Sequence, residues 1–496
     1  MDRRDFLAGT GALTMADAIG LGATNAQNTA ADVGIAQADP TQPTARVSVE
    51  QQLATYGATL AYDMLPREVV EAAKRLLIDA LACGYGAVGS PAARIVEDTF
   101  RKSFGGPAVA SVLGSPHPTS AEGAALINGV LVRDLDLNDI YVGKEPSHPS
   151  ENIPAALAAC EEGSRSGRDL IETIVTGYEA QLALNDALAF GDRGFFSVSI
   201  AGFTVPLMAG KAWRMPREQV LEAIGIASVR QLTLLAITRG PISMMKALPF
   251  AHNAMDSLFA ARLAAAGFTG PANAMDWFLT QVQPHQPDMR LELDTGKFRI
   301  GKVGLKRFPL QFELQTVAEA GVNLHAKARD RIDAISAIEV ETYPITIERT
   351  ASPSRYDPKT RETADHSLPV CLAMALIDGD VTIAQYDRER WRAPDILALA
   401  RKVKAKVGDR MTAAAARGGG VIVRLAFADG SSLEEEVEIA DGDARRPMSR
   451  AALEHKFKTL AVPVLGEAGA GKVLAMIDRL DELSDLQPFT AALRGA

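Results

Sequence analysis

The sequence lacks several short motifs that would assign it to a large enzyme class. No GxSxG elbow supports a serine hydrolase, and no HExxH spacing supports a zinc site. The glycines between Gly105 and Gly114 form neither a GxGxxG nor a GxxxxGK loop for a nucleotide. Basic runs are also missing and the net charge is −9, so nucleic-acid binding has little support. An anionic substrate is still compatible with this charge, because local cations decide such binding.

Cysteines are few and far apart. Cys83, Cys160 and Cys371 form no CxxC or metal spacing, and an odd count argues against a disulfide framework. We therefore expect buried free thiols. No run of eighteen apolar residues follows the N-terminal segment, so the sequence predicts no membrane span.

The N-terminal segment predicts export. Arg3-Arg4 precedes Asp5, Phe6 and Leu7, followed by a weakly apolar, Gly/Ala-rich stretch and small residues around Ala26. This pattern is typical of a twin-arginine signal over residues 1–26, read by the twin-arginine export machinery. Residues 27–45 are typical of a linker. The prediction is a periplasmic protein; the alternative is an ordinary N-terminus with an accidental Arg-Arg pair.

Hydrophobic periodicity predicts a mainly α fold with a smaller α+β domain. Residues 46–300 carry apolar side chains at helical spacing, beginning after Pro66. Alternating patterns follow at Ile335–Thr342 and on both sides of Asp429-Gly430, a strong hairpin signal. Helical spacing returns at 445–496. We expect a large all-helical bundle (46–300 and 445–496) with an inserted α+β lid (301–444).

A dense polar cluster lies where the helical pattern is interrupted. Asp134, Asp136, Asn138 and Asp139 alternate with leucines, and a Pro-flanked His148 follows. Carboxylates held beside apolar side chains and near a histidine are a natural place for shifted pKa values and proton transfer. A polar helix end followed by a loop is the alternative.

Four further segments carry a family resemblance. SMMK, GFTGP, LKRFP and TADHSLP begin at residues 243, 267, 305 and 363, in that order. With the acid cluster, they resemble the MmgE/PrpD family over nearly everything from residue 47 to residue 483. That family contains 2-methylcitrate dehydratases, cis-aconitate decarboxylases and an epimerase. The resemblance implies a helical domain, a smaller α+β lid and a homodimer. No metal is needed if lysine and arginine carry the electrostatic load, and we expect no cofactor.

Matched positions supply the predicted site. To eliminate water from a hydroxy-polycarboxylate, an enzyme must accept the proton on the carbon next to a substrate carboxylate. It must also donate a proton to the leaving hydroxyl and hold the substrate carboxylates with cations. We predict catalytic Asp136, His148 and Lys246. The resemblance further implies substrate binding by Lys306, Arg307, Asp139 and His366. Tyr356, in a polar loop before TADHSLP, is a further binding candidate.

Each assignment has a structural alternative. Asp136 could only cap a helix, His148 could only bond to backbone, and Lys306 or Arg307 could form a hinge salt bridge. Asp365 could cap the helix that follows it, and His366 could only tie the lid together.

Four positions depart from the family pattern. Phe196 and Arg133 stand where a histidine is common, Ile140 replaces a threonine, and Glu313 stands near another frequent histidine. Phenylalanine cannot transfer a proton. These departures imply a smaller or less charged substrate, or a lost reaction.

The resulting prediction is a metal-independent hydro-lyase that acts on a small polycarboxylate similar to 2-methylcitrate. Asn138 favours the dehydratase branch of the family. The alternatives are a decarboxylase or epimerase of a related acid, and a carboxylate-binding protein without turnover. We expect Asp136→Asn and Lys246→Ala each to abolish turnover with little loss of thermal stability.

Overall fold

The computed structural model describes residues 47–239, 241–282, 289–414 and 420–495. The predicted twin-arginine signal and linker lie outside the described residues. Between residues 47 and 495 the chain is mainly α-helical with a small four-stranded sheet, which confirms the predicted fold class.

Serine caps begin many of the early helices. The Ser48, Ser90, Ser120 and Ser166 side chains each accept a hydrogen bond from a first-turn N–H group, which stabilises a helix by about 1 kcal/mol. Pro66 precedes the second helix, as predicted. The helices are α1 Val49–Thr59, α2 Arg67–Gly86, α3 Pro91–Ser103, α4 Ala121–Asp134, α5 Ile153–Glu162, α6 Gly167–Ala187, α7 Ala201–Ala212, α8 Arg217–Ser228, α9 Pro249–Ala265 and α10 Ala274–Trp277.

Small residues let these helices approach one another closely. A Cβ atom on Gly129 of α4 would lie 2.7 Å from the Cβ of Ala251 in α9. A Cβ atom on Gly177 of α6 would overlap the sulfur of Met208 in α7. Tight packing of this kind tolerates little movement, so α4 presents its C-terminal end from a rigid support.

The remaining elements are the β-strands and the later helices. The strands are β1 Tyr141–Val142, β2 Pro146–Ser147, β3 Ile335–Thr342, β4 Val403–Val407, β5 Val421–Phe427 and β6 Ser432–Val437. The helices are α11 Gln315–Ala328, α12 Pro344–Thr350, α13 Arg361–Ala364, α14 Leu368–Asp378, α15 Ile383–Asp387, α16 Pro394–Ala400, α17 Asp409–Ala414, α18 Arg450–Asp478 and α19 Gln487–Leu493.

The large sheet has the order β4–β3–β5–β6. β4 is parallel to β3, whereas β5 and β6 run antiparallel to their neighbours. The predicted hairpin at Asp429-Gly430 is confirmed, and Gly430 adopts φ +83°, a conformation that glycine adopts without strain. Ile338 and Val340 of β3 pack into a core shared with α11 and α14.

The last long helix, α18, packs against α2. The rings of Tyr85 and Phe457 meet edge to face with centroids 6.1 Å apart. By length and composition α18 is the one helix in the described part of the chain that could cross a membrane, although its backbone leaves helical geometry at Gly466. The predicted absence of a membrane span stays a prediction.

Two large hydrophobic cores result, and the chain crosses between them twice. One core contains residues up to Leu305 and again from Met448 onward; the other extends from Phe308 to Val437. Near the first crossing, Gly304 and Ile140 exchange two backbone hydrogen bonds of 2.9 Å. This bridge fixes the crossing segment beside the acid cluster.

Candidate active site

Asp136 turns inward from the C-terminal end of α4. The helix ends at Asp134, and Asp136 then adopts φ +50°, a left-handed conformation that costs a non-glycine residue on the order of 1 kcal/mol. Aspartate tolerates this region better than most residues. The turn buries the Asp136 carboxylate, which is 2% exposed.

Three cations from different segments meet on that carboxylate. Oδ1 accepts hydrogen bonds from Lys306 Nζ at 2.7 Å and from Arg133 Nη1 at 2.9 Å. Oδ2 accepts one from Lys246 Nζ. Burial alone would raise the pKa of Asp136, but the three positive charges outweigh it and hold the pKa well below its usual range. Asp136 is therefore a permanent carboxylate and a weak base.

Lys246 contributes a titratable ammonium group to the site. It lies in a short 3₁₀ turn, Met244–Ala247. Burial lowers its pKa to about 8, while the neighbouring Asp136 opposes the shift. Lys246 can consequently release a proton near physiological pH, a property that an exposed lysine lacks.

His366 lies directly behind Lys246. Its Nε2 is 2.8 Å from Lys246 Nζ, and its Nδ1 bonds to Asp365 Oδ1. Burial and the Lys246 charge lower the pKa of His366, so the ring is neutral. A proton on Nδ1 satisfies both contacts, because Nε2 then accepts from the lysine. Asp365 does not cap the following helix as suggested; Ser367 caps α14 instead.

His148 is the second histidine of the site. Its Nδ1 lies 2.5 Å from the backbone oxygen of Asp139. Burial, together with the charges of Arg133 and Lys306, holds the pKa of His148 well below its usual range. The proton therefore sits on Nδ1, and the ring offers a neutral Nε2 as a base.

A cavity of about 540 Å³ collects these groups. Five of the eight predicted site residues line it: Asp136, His148, Lys246, Lys306 and His366. All four residues that depart from the family pattern line it as well: Arg133, Ile140, Phe196 and Glu313. The polar cluster therefore faces a space that a small molecule can occupy.

Asp139 lies outside this lining, contrary to its predicted contact with substrate. Its Oδ1 accepts from the backbone N–H of Ser150 and its Oδ2 from the Tyr178 hydroxyl, each at 2.9 Å. Burial raises the pKa of Asp139 to about 7. The carboxyl group holds the loop that carries His148 rather than a ligand.

Arg307 and Tyr356 are the other two predicted binding residues that do not line the cavity. The Arg307 guanidinium lies over the Phe308 ring and 4.0 Å from Asp441. Lys306 is buried against Asp136, whereas the Arg307 side chain is partly exposed. The Tyr356 hydroxyl donates to the backbone oxygen of Val403 at 3.2 Å.

Sequence reasoning missed the residues that complete the site. Arg133 was seen only as a departure, yet it contacts Asp136 and lies 3.6 Å from Glu151. Burial raises the pKa of Glu151 to about 8. Arg355 and Gln311 also line the cavity. Neither Arg355 nor Gln311 lies in a matched motif, so no signal in the sequence pointed to them.

The donor set does not fit a divalent metal ion. Ligand atoms of Asp136, Asp365 and His366 lie within 4.8 Å of one another, which is close enough to hold an ion. Both Asp136 oxygens already face ammonium or guanidinium groups, and His366 Nε2 faces Lys246. A metal ion would meet three buried positive charges there.

Two models of a known protein family match most of this chain. The chain matches the MmgE/PrpD N-terminal domain over residues 51–280 and the MmgE/PrpD C-terminal domain over residues 308–482.

Three similar proteins are each named either a cis-aconitate decarboxylase or a 2-methylcitrate dehydratase. A cis-aconitate decarboxylase of Aspergillus terreus is 24% identical over 479 residues, covering 90% of this chain and 96% of the relative. A cis-aconitate decarboxylase of Mus musculus is 23% identical, covering 90% and 94%. A 2-methylcitrate dehydratase of Cupriavidus necator is 25% identical, covering 80% and 87%. With both of its domain models matched across most of its length, the chain belongs to the MmgE/PrpD family.

Proposed function

We propose that this protein is a hydro-lyase that removes water from a small hydroxy-polycarboxylate without a metal ion. The observation that carries the proposal is the position of Lys246, between the Asp136 carboxylate and the neutral His366 ring and on the wall of a cavity. A lysine with a pKa of about 8 is matched to proton transfer near neutral pH.

In this proposal His148 Nε2 accepts the proton from the carbon next to a substrate carboxylate. The electrons of that C–H bond form the carbon–carbon double bond as the neighbouring C–O bond breaks. Lys246 donates a proton to the departing hydroxyl, which leaves as water. Both groups line the cavity, and their protonation states at neutral pH suit these directions.

Lys306 and Arg133 stabilise the negative charge that develops on the substrate during the reaction. Charge builds on the substrate carboxylate as the proton leaves, and fixed cations in a buried site stabilise that charge strongly. Both side chains are almost fully buried and line the cavity. Asp136 contacts both cations and Lys246, so its proposed role changes from proton acceptor to counter-ion.

A decarboxylase is the second candidate, because the same site could stabilise the carbanion left when carbon dioxide departs. Relatives named cis-aconitate decarboxylase cover 90% of this chain and favour it. Here a carbon–carbon bond breaks and Lys246 protonates the carbon.

Mass spectrometry of a panel of hydroxy-, methyl- and amino-polycarboxylates incubated with the pure protein separates these functions. Loss of water supports the proposal, and loss of carbon dioxide supports the second candidate. An unchanged panel would favour a carboxylate-binding protein without turnover.

Export to the periplasm and assembly as a homodimer also stay proposals. The Arg3-Arg4 pattern supports the first. Exposed apolar side chains such as Leu234, Phe268 and Trp277 support the second. Cell fractionation and light scattering test them separately.

A further inference from the structure

We propose that Arg355 binds a carboxylate of the substrate and that Gln311 accepts a hydrogen bond from a substrate hydroxyl. The inference rests on the proposed function only in taking the ligand to be a hydroxy-polycarboxylate. It assigns a binding subsite to two residues that no family motif identified here.

Arg355 is a buried cation that forms no ion pair within the described part of the chain, although the charge of Asp365 acts on it. It belongs to the 3₁₀ turn Pro353–Tyr356, is 5% exposed and lines the cavity. Its Nη1 reaches the backbone oxygen of Thr363 at the long distance of 3.4 Å, and its buried Nε has no hydrogen-bond partner among the described residues. A buried guanidinium with so few hydrogen-bond partners attracts an anion that enters the cavity.

The other arginines of the cavity differ in this respect. Arg133 bonds to Asp136 at 2.9 Å, Arg349 bonds to Glu313 at 2.7 Å, and Arg239 lies 3.7 Å from Glu348. Within the described part of the chain, Arg355 alone of these four forms no ion pair with a carboxylate. A ligand carboxylate can therefore bind the Arg355 guanidinium without displacing a protein carboxylate from an ion pair.

The backbone around Arg355 is held in place. Its N–H donates to Ser352 at 2.8 Å, and its oxygen accepts from the hydroxyl of Ser367, the residue that caps α14. A fixed backbone presents the guanidinium fork in a limited range of positions, which suits bidentate binding of a planar carboxylate.

Gln311 offers the complementary group. Its Oε1 is buried and has no hydrogen-bond partner among the described residues, although the residue lines the cavity. Its backbone N–H donates to Asp365 at 3.1 Å, and Arg355 reaches Thr363 two residues earlier. Gln311 and Arg355 therefore both contact the short segment 363–365, and each carries a buried side-chain atom without a partner among the described residues. A molecule with a hydroxyl and a carboxylate can satisfy both.

Two probes separate the two roles. Citrate carries three carboxylates and a hydroxyl, whereas tricarballylate has the same skeleton without the hydroxyl. Calorimetry on the full chain should show that Arg355→Met weakens binding of both probes by about 10- to 100-fold, because a charged hydrogen bond is lost. Gln311→Leu should weaken citrate by about 10-fold and leave tricarballylate within about twofold.

Matched variants guard against a folding artefact. Arg262 bonds to Glu162 at 2.9 Å and lies outside the cavity, so Arg262→Met should lower thermal stability and leave binding unchanged. Arg355→Lys keeps the charge without the fork and should bind both probes about 10-fold more weakly than wild type. This variant decides the matter if Arg355→Met does not fold.

Equal binding of both probes by wild type and either Arg355 variant overturns the proposal, as does a wild-type protein that binds neither probe at millimolar concentration. The proposed function fails separately, if wild type binds citrate-like acids through Arg355 and leaves every hydroxy acid chemically unchanged.

Discussion

Lys306 Nζ lies 2.7 Å from Asp136 Oδ1, although 170 residues separate the two in the chain. The contact joins the end of α4 to the segment where the chain crosses between the two hydrophobic cores. Both side chains are almost completely buried, so each charge depends on the other.

Asp136→Asn should destabilise the protein as well as abolish turnover. The substitution leaves Lys246, Lys306 and Arg133 as buried cations without their shared carboxylate, at a cost of about 3–5 kcal/mol. The expectation from sequence, that stability would hardly change, is the opposite outcome. Urea denaturation measures the difference. A variant as stable as wild type would show that the carboxylate does not hold the cluster together.

The activity should fall as pH rises through about 8. Lys246, with a pKa of about 8, must carry its proton to protonate the leaving hydroxyl. The acid limb should lie well below pH 6.5, because His148 stays neutral and able to accept a proton until then. A profile of kcat/KM against pH checks both limbs. Activity that keeps rising above the pKa of Lys246 would remove that lysine from the acid role.

Glu151→Gln should flatten the dependence of stability on pH between about 4.5 and 8. Burial raises the folded-state pKa of Glu151 from 4.5 to about 8. The native state therefore binds more protons than the unfolded state in this window, and stability falls as pH rises through it. Denaturation midpoints of wild type and variant at pH 5 and 8 test the sign. Identical slopes would mean that Glu151 titrates normally.

Phe196→His should change which substrate is preferred. The Phe196 ring lines the cavity, and contact with an apolar substituent contributes about 1–2 kcal/mol to discrimination. We expect the ratio of kcat/KM for 2-methylcitrate over citrate to fall about 10-fold in the variant. The same ratio in both proteins would show that the ring does not contact the substituent.

The sequence predicted the elements whose signal is local. The alternation at Ile335–Thr342 and the Asp-Gly turn are properties of neighbouring residues, and both strands formed as expected. β4 was missed, because its residues Val403–Val407 include two lysines and it pairs in parallel with a strand about sixty residues away.

The sequence predicted correctly only those residues of the cavity that fall in or beside a matched motif. Asp136, Lys246, Lys306 and His366 fell in matched segments and do meet. Arg307 shared such a segment but lies outside the cavity lining, since a motif does not state which side a residue faces. Tyr356, predicted from a polar loop outside the motifs, does not line the cavity either. The lack of an ion pair at Arg355 is visible only in the folded structure, where the other three arginines of the cavity lie beside carboxylates.

Mass-resolved turnover of the Lys246→Met variant tests the central claim most directly. Lys359 is exposed and pairs with Asp357, so Lys359→Met is the matched control. Wild type and control should release water from at least one hydroxy-polycarboxylate, and Lys246→Met should do so about 10²- to 10⁴-fold more slowly while still folded. Equal rates in Lys246→Met and the control would contradict the account.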